Sequence, residues 1–352
     1  MAEARVVLVV GASGAAAARI AERAATAAPG FGAVGLSRRV PDGVGSWIAA
    51  DLLDAAGLAR ALSARPDITH VVYASRAPHA ESGVEDVGGN LAMLRNLLDA
   101  AEASLPRFAH IHLVQGGKWY GMHIGPYRTP AREDDPRHMP PNFYYDQQDL
   151  VSERRRGKAW AWTASRPGFV LDVVPGRARN MVSTLGAYAA ICRELGLPFD
   201  FPGKPGAWEA LLEVTDAALL ADGVLWMLGE PRCADRAFNV ANGDCFRWRE
   251  LWPHLAELFG LRVGAVRTMP LARWMADKAP VWERVRARHG LVLPLERVAD
   301  WAFADFFLGL EWDVLSSMAA ARAAGFTGSV DTWAMFTEQI AGYRAARVLP
   351  PA

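Results

Sequence analysis

The amino-acid sequence predicts an α/β fold in which a doubly wound parallel sheet is joined to a smaller, mostly helical C-terminal lobe. Three observations support this prediction. Short apolar runs alternate with helical patterns over the first half of the chain. The first apolar run leads directly into a glycine-rich loop and an alanine-rich helical stretch. Beyond Gly168 the alternation weakens, and from Trp248 onwards the pattern is mostly helical and rich in Trp and Phe.

The apolar runs are the strand candidates of this sheet. They cover residues 5–10, 32–36, 46–50, 70–74, 108–114 and 160–165, and helical patterns between them include residues 15–27, 55–62 and 90–103. Strands that are continuously apolar are buried on both faces, as they are when helices cover both sides of a parallel sheet. The order of elements therefore predicts a Rossmann-type core over residues 1–175 and a second lobe over residues 176–352. Residues 214–243 are expected to return to the core, because they repeat a helical pattern followed by a short apolar run.

Composition and charge exclude several classes of protein. Hydrophobic residues make up 51% of the 352 residues and charged residues 22%, so the chain can bury a sizeable core. Lys and Arg total 38, as do Asp and Glu, and this balance gives no support for a nucleic-acid or membrane partner. The three cysteines form no CxxC pair and the eight histidines no HxxxH pattern, so no metal site is expected. Without a disulfide framework or a long apolar run, the sequence predicts a cytoplasmic protein.

A glycine-rich loop lies between the first predicted strand and the first predicted helix. It contains Gly11, Ser13, Gly14 and Ala15. Gly11 allows a tight turn, and the absence of a side chain at Gly14 lets the backbone approach a diphosphate. The helix that follows presents free N–H groups and the positive end of its dipole to that anion. Strand, loop and helix in this order predict a dinucleotide-binding site.

The end of the second predicted strand indicates which dinucleotide binds. An enzyme that uses NAD typically has Asp or Glu about 20 residues beyond the loop, where a carboxylate accepts from the ribose hydroxyls. This chain has Ser37, Arg38 and Arg39 instead. Guanidinium groups bind a 2′-phosphate, so NADP(H) is the predicted cofactor. Asp51, after the third strand, is placed either to accept from the adenine amino group or to cap the next helix.

Further cofactor contacts are expected where the predicted strands end, because functional groups of open α/β sheets cluster at the carboxyl ends of strands. These residues are Leu52, Ala74, Ser75 and Gln115. Residues 1–175 are therefore the predicted NADP-binding part, and residues 176–352 the predicted substrate-binding part.

A tyrosine and a lysine are the candidates for chemistry at the nicotinamide. A tyrosine can donate to an oxygen on which negative charge develops, and a nearby cation assists it. The spacing Tyr-x-x-x-Lys, which places both side chains on one helix face, is absent, since no lysine stands four residues after Tyr144 or Tyr145. Lys118 follows a glycine pair at the end of a core strand. We therefore expect Lys118 and Tyr144 to converge at the cofactor from separate elements.

Several stretches resemble one known family. They are residues 142–145 (NFYY), 165–168 (SRPG), 188–192 (YAAIC), 238–244 (FNVANGD), 255–260 (LAELFG), 280–282 (PVW) and 325–326 (GF). On these residues the chain resembles the progesterone 5β-reductase and iridoid synthase-like enzymes (PRISE), an atypical branch of the extended short-chain dehydrogenases. The resemblance covers nearly the whole chain, and the NFYY tetrad with an upstream lysine after a glycine pair is its most specific part.

The resemblance implies an NADPH-dependent 1,4-reduction of alkenes conjugated to a carbonyl group. Tyr144 and Lys118 match the family's catalytic tyrosine and lysine. Tyr144 would stabilise the developing enolate oxygen and contact the cofactor, while Lys118 would supply positive charge. Pro167, Phe169 and Val170 match a segment that packs near the nicotinamide.

Three residues are expected to face the substrate, namely Arg76, Tyr127 and Tyr145. Arg76 stands where the resembled family often has Trp, and Tyr127 stands where Phe is common. A guanidinium in place of an aromatic ring favours a more polar or anionic substrate than a steroid, unless Arg76 points into solvent.

Other functions remain open on the same scaffold. A carbonyl reductase would use the same oxyanion donor, whereas a nucleotide-sugar epimerase normally carries the absent Tyr-x-x-x-Lys pair. A non-catalytic NADP(H) sensor is disfavoured because Tyr144 and Lys118 are both present. The expected partner is a small enone or carbonyl compound, and the protein is a candidate homodimer.

Overall fold

The computed structural model describes residues 5–26, 29–40, 46–77 and 85–352. Residue 27, the last of the first predicted helix, lies outside the described residues. The chain forms two compact units. The first contains the described residues up to Phe169 together with Ala217–Ala241 and Ser316–Gly328. The second contains Val170–Asp216, Asn242–Leu315 and Ser329–Ala352.

The strands and helices follow one another along the chain with the bounds below. The strands are β1 (Arg5–Val10), β2 (Phe31–Ser37), β3 (Ser46–Ala49), β4 (His70–Tyr73), β5 (His110–Val114), β6 (Ala161–Pro167), β7 (Phe169–Leu171), β8 (Phe199–Phe201), β9 (Leu211–Leu212), β10 (Val214–Asp216), β11 (Arg236–Val240), β12 (Phe246–Arg247) and β13 (Val263–Val266). The helices are α1 (Ala15–Thr26), α2 (Ala55–Ser63), α3 (Val87–Ser104), α4 (Phe143–Arg155), α5 (Met181–Glu194), α6 (Pro205–Glu209), α7 (Ala217–Gly229), α8 (Trp248–Leu258), α9 (Leu271–Trp274), α10 (Ala279–His289), α11 (Trp301–Phe307), α12 (Ala319–Ala323) and α13 (Thr332–Ala345).

A parallel sheet forms the centre of the first unit. Within the described residues it has seven strands in the order β11-β6-β5-β4-β1-β2-β3, and each neighbouring pair is parallel. The chain moves outward from β1 to β2 and β3 on one side, and to β4, β5, β6 and β11 on the other. Residues 7–10 of β1 have no exposed surface, as expected of a strand buried on both faces. The predicted doubly wound fold is confirmed.

Some element bounds differ from those predicted. The strand predicted from residue 108 begins at His110, and the strand predicted over 160–165 continues to Pro167. Ala217–Ala241, with α7 and β11, belongs to the first unit. Ser316–Gly328 also belongs there, although its sequence has no strand–helix alternation that would indicate this. The functional division into a cofactor part and a substrate part stays a prediction.

The second unit is mostly helical, and its strands are short. They pair as β7 with β10, β9 with β12 and β8 with β13. Its core is aromatic: the rings of Phe199 and Trp252 stack with centroids 4.2 Å apart and an angle of 6° between their planes. Phe201 and Trp248 complete this buried cluster. The aromatic residues of the second half therefore stabilise the fold through the large apolar area that each ring buries.

Two structural features are absent from the described residues. None of the helices there is both long enough and apolar enough to cross a bilayer. No group of three or more His, Cys, Asp or Glu side chains there could hold a metal ion.

Three histidines lie side by side within the sheet. The rings of His70 and His110 stack with centroids 6.0 Å apart. His110 Nε2 and His112 Nδ1 each lie 2.8 Å from Thr163 Oγ1. Burial lowers the pKa of His70 to about 4 and that of His110 to about 3, because a buried imidazolium would lose its hydration.

We expect the free energy of unfolding to fall as the pH drops from 7.5 to 5. The unfolded chain binds protons on these histidines below a pKa of about 6.5, whereas the folded chain does not bind them there. The contribution of the neutral histidines to the free energy of unfolding is therefore complete above a pH of about 6.5 and declines below it. Each imidazole can contribute at most about 1.4 kcal/mol per pH unit. Urea unfolding at several pH values measures the slope, and His110→Asn should reduce it. An unchanged slope in that variant contradicts the assignment.

Candidate active site

At Gly11, the glycine-rich loop adopts a backbone conformation that favours glycine. Gly11 has a φ of +80°, and a Cβ there would lie 2.8 Å from Ser75 Oγ and 3.1 Å from the carbonyl carbon of Ala74. The N–H of Gly14 donates to the carbonyl oxygen of Gly11 at 2.7 Å. The turn is therefore tight, and it brings the end of β1 against the segment that follows β4.

The loop opens onto the N-terminus of α1. Ser13 is exposed, and Ala15 is the first residue of the helix. The first turn of α1 contains no acidic residue, so its N–H groups and dipole are not neutralised by its own side chains. This combination of a close backbone turn and a helix N-terminus fits a diphosphate.

The basic pair lies at the carboxyl end of β2. Ser37 is buried, and its hydroxyl donates to the carbonyl oxygen of Arg39, which fixes the turn. Arg38 and Arg39 are exposed. Neither guanidinium is in an ion pair within the part of the chain that the structure describes. Both are therefore available to a phosphate.

Asp51 and Leu52 have clear local roles. One carboxylate oxygen of Asp51 accepts from the N–H of Leu53 at 2.9 Å. The cap of α2 is Asp54, whose side chain accepts from Gly57, so the helix-cap alternative for Asp51 is wrong. Leu52 is buried, and its carbonyl oxygen accepts from Asn96 at 2.9 Å. Contact of Asp51 and Leu52 with adenine stays a prediction.

Asn142 connects the two predicted catalytic residues. It is the N-cap of α4, and its side-chain oxygen accepts from the N–H of Tyr144 at 3.1 Å. Its side-chain nitrogen donates to the carbonyl oxygen of Lys118 at 3.0 Å. The asparagine of the NFYY stretch therefore positions the start of α4 against the turn after β5.

The hydroxyl of Tyr144 lies at the carboxyl ends of β5 and β6. A Cβ built on Gly116 would be 3.7 Å from this hydroxyl and 3.6 Å from the carbonyl oxygen of Pro167. Within the described residues this hydroxyl makes no hydrogen bond. A donor is thus present at the sheet edge where Gly11 and its neighbours also lie.

Three environmental effects set the protonation of Tyr144. Burial raises its pKa to about 12, the charge of Arg76 lowers it and the charge of Glu85 raises it. Burial is the largest of the three, because the phenolate would lose hydration. Tyr144 is therefore neutral near pH 7 and can donate a hydrogen bond.

Lys118 is held by a carboxylate that sequence reasoning did not single out. Its Nζ lies 2.5 Å from Glu85 Oε1, and both side chains are mostly buried. Glu85 precedes Asp86, the N-cap of α3, and no motif marks it in the sequence. Lys118 is thus one half of an ion pair, and its convergence with Tyr144 at the cofactor stays a prediction.

Gln115 belongs to a buried polar network that the sequence did not reveal. Its side-chain nitrogen lies 3.2 Å from Gln148 Oε1, and its side-chain oxygen accepts from Arg166 Nε at 3.1 Å. Arg166 is 2% exposed and stacks on Trp119, with the guanidinium carbon 3.6 Å from the ring centroid. Burial lowers the pKa of Arg166. The side chain of Gln115 therefore forms hydrogen bonds with other side chains of the protein, namely Gln148 and Arg166.

Tyr145 is anchored inside the first unit. Its hydroxyl donates to the carbonyl oxygen of Trp119 at 2.5 Å and accepts from the N–H of His138 at 2.9 Å. Its ring meets Trp119 edge to face, with centroids 4.7 Å apart. Both hydrogen-bonding capacities of this hydroxyl serve the fold, and a contact of Tyr145 with substrate stays a prediction.

The other predicted residues have the following positions. Tyr127 is half-buried, lies nearly parallel to Tyr120 with ring centroids 6.3 Å apart, and lines a cavity of about 250 Å³ with it. Phe169 is 8% exposed, and Val170 is the first residue of the second unit. Arg76 is exposed.

Comparison with known proteins identifies the family. The family described as a PRISE-like Rossmann-fold domain matches residues 53–350. The chain belongs to this family. The resemblance predicted from the NFYY stretch and the other motifs is thereby confirmed.

Named relatives of this PRISE-family chain extend over most of its length. The (S)-8-oxocitronellyl enol synthase of Nepeta racemosa is 34% identical over 316 residues, which are 87% of this chain and 81% of that protein. The 3-oxo-Delta(4,5)-steroid 5-beta-reductase of Arabidopsis thaliana is 34% identical over 320 residues, 86% of this chain and 80% of that protein. The chain is an oxidoreductase.

A solved structure supports the fold independently. A short-chain dehydrogenase/reductase superfamily protein from Agrobacterium tumefaciens superposes with a TM-score of 0.68, covers 98% of both chains and is 17% identical. At that identity the likeness concerns the fold, and it agrees with the parallel sheet described above.

Proposed function

We propose that this protein uses NADPH to reduce a carbon–carbon double bond conjugated to a carbonyl group. The names of two relatives, an enol synthase and a steroid 5-beta-reductase, support a reductase of this type. The observation that carries the proposal is the neutral hydroxyl of Tyr144, which makes no hydrogen bond within the described residues and lies at the strand ends beside Gly116.

The residues of the glycine-rich loop and the basic pair fit NADPH. The tight turn at Gly11 and the N-terminus of α1, whose first turn contains no acidic residue, would hold the diphosphate. Arg38 and Arg39 would hold the 2′-phosphate, because a guanidinium donates two parallel hydrogen bonds to a phosphate. When bound, NADPH supplies the hydride.

The chain's own residues would stabilise the charge that the hydride creates. As the β-carbon of an enone accepts hydride, negative charge moves to the carbonyl oxygen. Tyr144 donates a hydrogen bond to that oxygen, and it can do so because its pKa of about 12 keeps the hydroxyl protonated. Lys118 adds positive charge nearby, and Glu85 positions its ammonium group. The enolate then takes a proton from solvent water at the α-carbon, which completes the reduction.

An assay with purified protein tests this function. NADPH oxidation is followed with cyclohexenone, the product is identified by mass spectrometry, and NADH is tested in parallel. We expect a saturated ketone and a preference for NADPH. An allylic alcohol would assign carbonyl reduction instead, and tight NADPH binding without turnover over a panel of enones and aldehydes would assign a sensor.

We predict that replacing both Arg38 and Arg39 by Ala weakens NADPH binding and leaves NADH binding nearly unchanged. Each hydrogen bond between charged groups is typically worth about 1.5–3 kcal/mol, and both guanidiniums are exposed, so we expect a loss of about 10- to 100-fold. Fluorescence titration with each dinucleotide measures the two affinities. A parallel loss for NADPH and NADH would place the basic pair away from the 2′-phosphate.

A further inference from the structure

Arg76 occupies a position from which a side chain can act on a bound molecule. It is the third residue beyond β4, and the backbone is held on both sides of it. On one side Ser75 packs against Gly11, and on the other the N–H of Ala77 donates to Asn90 Oδ1 at 2.9 Å. Asn90 is 1% exposed, which makes this anchor rigid. A fixed backbone thus presents an exposed guanidinium.

The guanidinium of Arg76 has no counter-ion among the residues that the structure describes. In residues 5–26, 29–40, 46–77 and 85–352 it makes no ion pair and no hydrogen bond. Lys118, the proposed supporting cation, is already paired with the Glu85 carboxylate at 2.5 Å. Of these three charged groups, one positive charge is therefore left over, and it belongs to Arg76.

The uncompensated charge lies on the reacting side of the site. β4 and β5 are neighbours in the sheet, with Tyr73 beside Leu113, so Arg76 and Gly116 follow strand ends at the same edge. The charge of Arg76 also acts on the hydroxyl of Tyr144. The groups that fit the NADPH phosphates are other residues, at the N-terminus of α1 and at the end of β2.

We propose that Arg76 binds a carboxylate on the substrate, so that this protein prefers enones that carry a negative charge away from the reacting double bond. The proposal rests on the proposed reductase function. A guanidinium matches the two oxygens of a carboxylate with two parallel hydrogen bonds, which a neutral amide cannot reproduce. Arg76 is thus a specificity-determining residue of the same site.

A matched pair of substrates tests this proposal. One is a short methyl enone with a saturated side chain ending in a carboxylate, and the other is the primary amide of the same molecule. We expect wild-type kcat/KM to be about tenfold higher for the acid, the low end for a charged hydrogen bond at an exposed site. Arg76→Met should abolish the preference, and Arg76→Lys should retain part of it. A preference unchanged in Arg76→Met overturns the proposal.

Two further measurements separate the alternatives. If Arg76→Met weakens NADPH binding about tenfold and leaves the preference of acid over amide intact, Arg76 serves a cofactor phosphate and the proposal is wrong. The second measurement is the affinity of the saturated acid and of the saturated amide for the protein loaded with NADP⁺, which can be determined without any turnover. One outcome is that wild type binds the saturated acid more tightly than the amide, Arg76→Met loses this difference, and no enone is reduced. That result would support the carboxylate site and contradict the proposed reductase function.

Discussion

Tyr144→Phe is expected to lower kcat/KM for an enone by about 10²–10³, the loss typical of removing one donor to a developing oxyanion. The physical reason is that the Tyr144 hydroxyl, at the ends of β5 and β6, is neutral and makes no hydrogen bond within the described residues. The dissociation constant of NADPH should stay within about twofold, since the proposed diphosphate and 2′-phosphate contacts come from other residues. Steady-state kinetics and a cofactor titration measure the two quantities.

Tyr145→Phe is the matched control, because it removes the same atom one residue further along α4. That hydroxyl is bound to the backbone of Trp119 and His138. We therefore expect a loss of about 1–3 kcal/mol in the free energy of unfolding and little change in kcat. Full activity in Tyr144→Phe, or equal kinetic losses in both variants, would contradict the role given to Tyr144.

The second large effect is expected on stability, from Arg166→Met. Arg166 donates to Gln115 Oε1, Gln148 Oε1, Tyr120 and the carbonyl oxygen of Glu133. Methionine fills part of the volume, but it leaves the buried Gln115 Oε1 without a donor, removes the hydrogen bonds to Tyr120, Gln148 and Glu133, and loses the stacking on Trp119. We expect the free energy of unfolding to fall by about 3 kcal/mol, because each unsatisfied buried group costs about 1–3 kcal/mol.

Arg155→Met provides the control for that measurement. Arg155 makes an exposed ion pair with Asp235 at 3.2 Å, and such pairs are typically worth about 0–1 kcal/mol. Urea unfolding of both variants gives the comparison. If both lose the same small amount, Arg166 is less important to the fold than its hydrogen bonds indicate.

The structural elements that sequence reasoning recovered are those specified by local patterns. Continuous apolar runs marked the core strands, and a missing side chain at Gly11 marked the tight turn. Boundaries were less accurate: the strand predicted from residue 108 starts at His110. Ser316–Gly328 was missed because it joins the first unit through packing, with no periodicity of its own.

The candidate site divides in the same way. Lys118 and Tyr144 were found because the NFYY stretch and the glycine pair are recognisable as sequence motifs. Asn142, which joins them, lies in that motif, but its two hydrogen bonds depend on the approach of α4 to the turn after β5. No sequence motif indicates the partners of Glu85 and Arg166. Glu85 pairs with Lys118, and Arg166 donates to Gln115, and in both contacts the two residues are more than 30 positions apart in the chain.

The sequence by itself determined the doubly wound core, the membership of the PRISE family and the choice of Tyr144 and Lys118 as candidates. Each of these depends on local strand, loop and helix patterns or on short motifs, and within each motif the residues are close together in the chain. Only the tertiary structure decided which charges meet: Lys118 is paired with Glu85, and Arg76 is left without a counter-ion among the described residues. The physical reason is that Coulomb interactions and burial depend on distance in space, which the separation of residues along the chain does not specify.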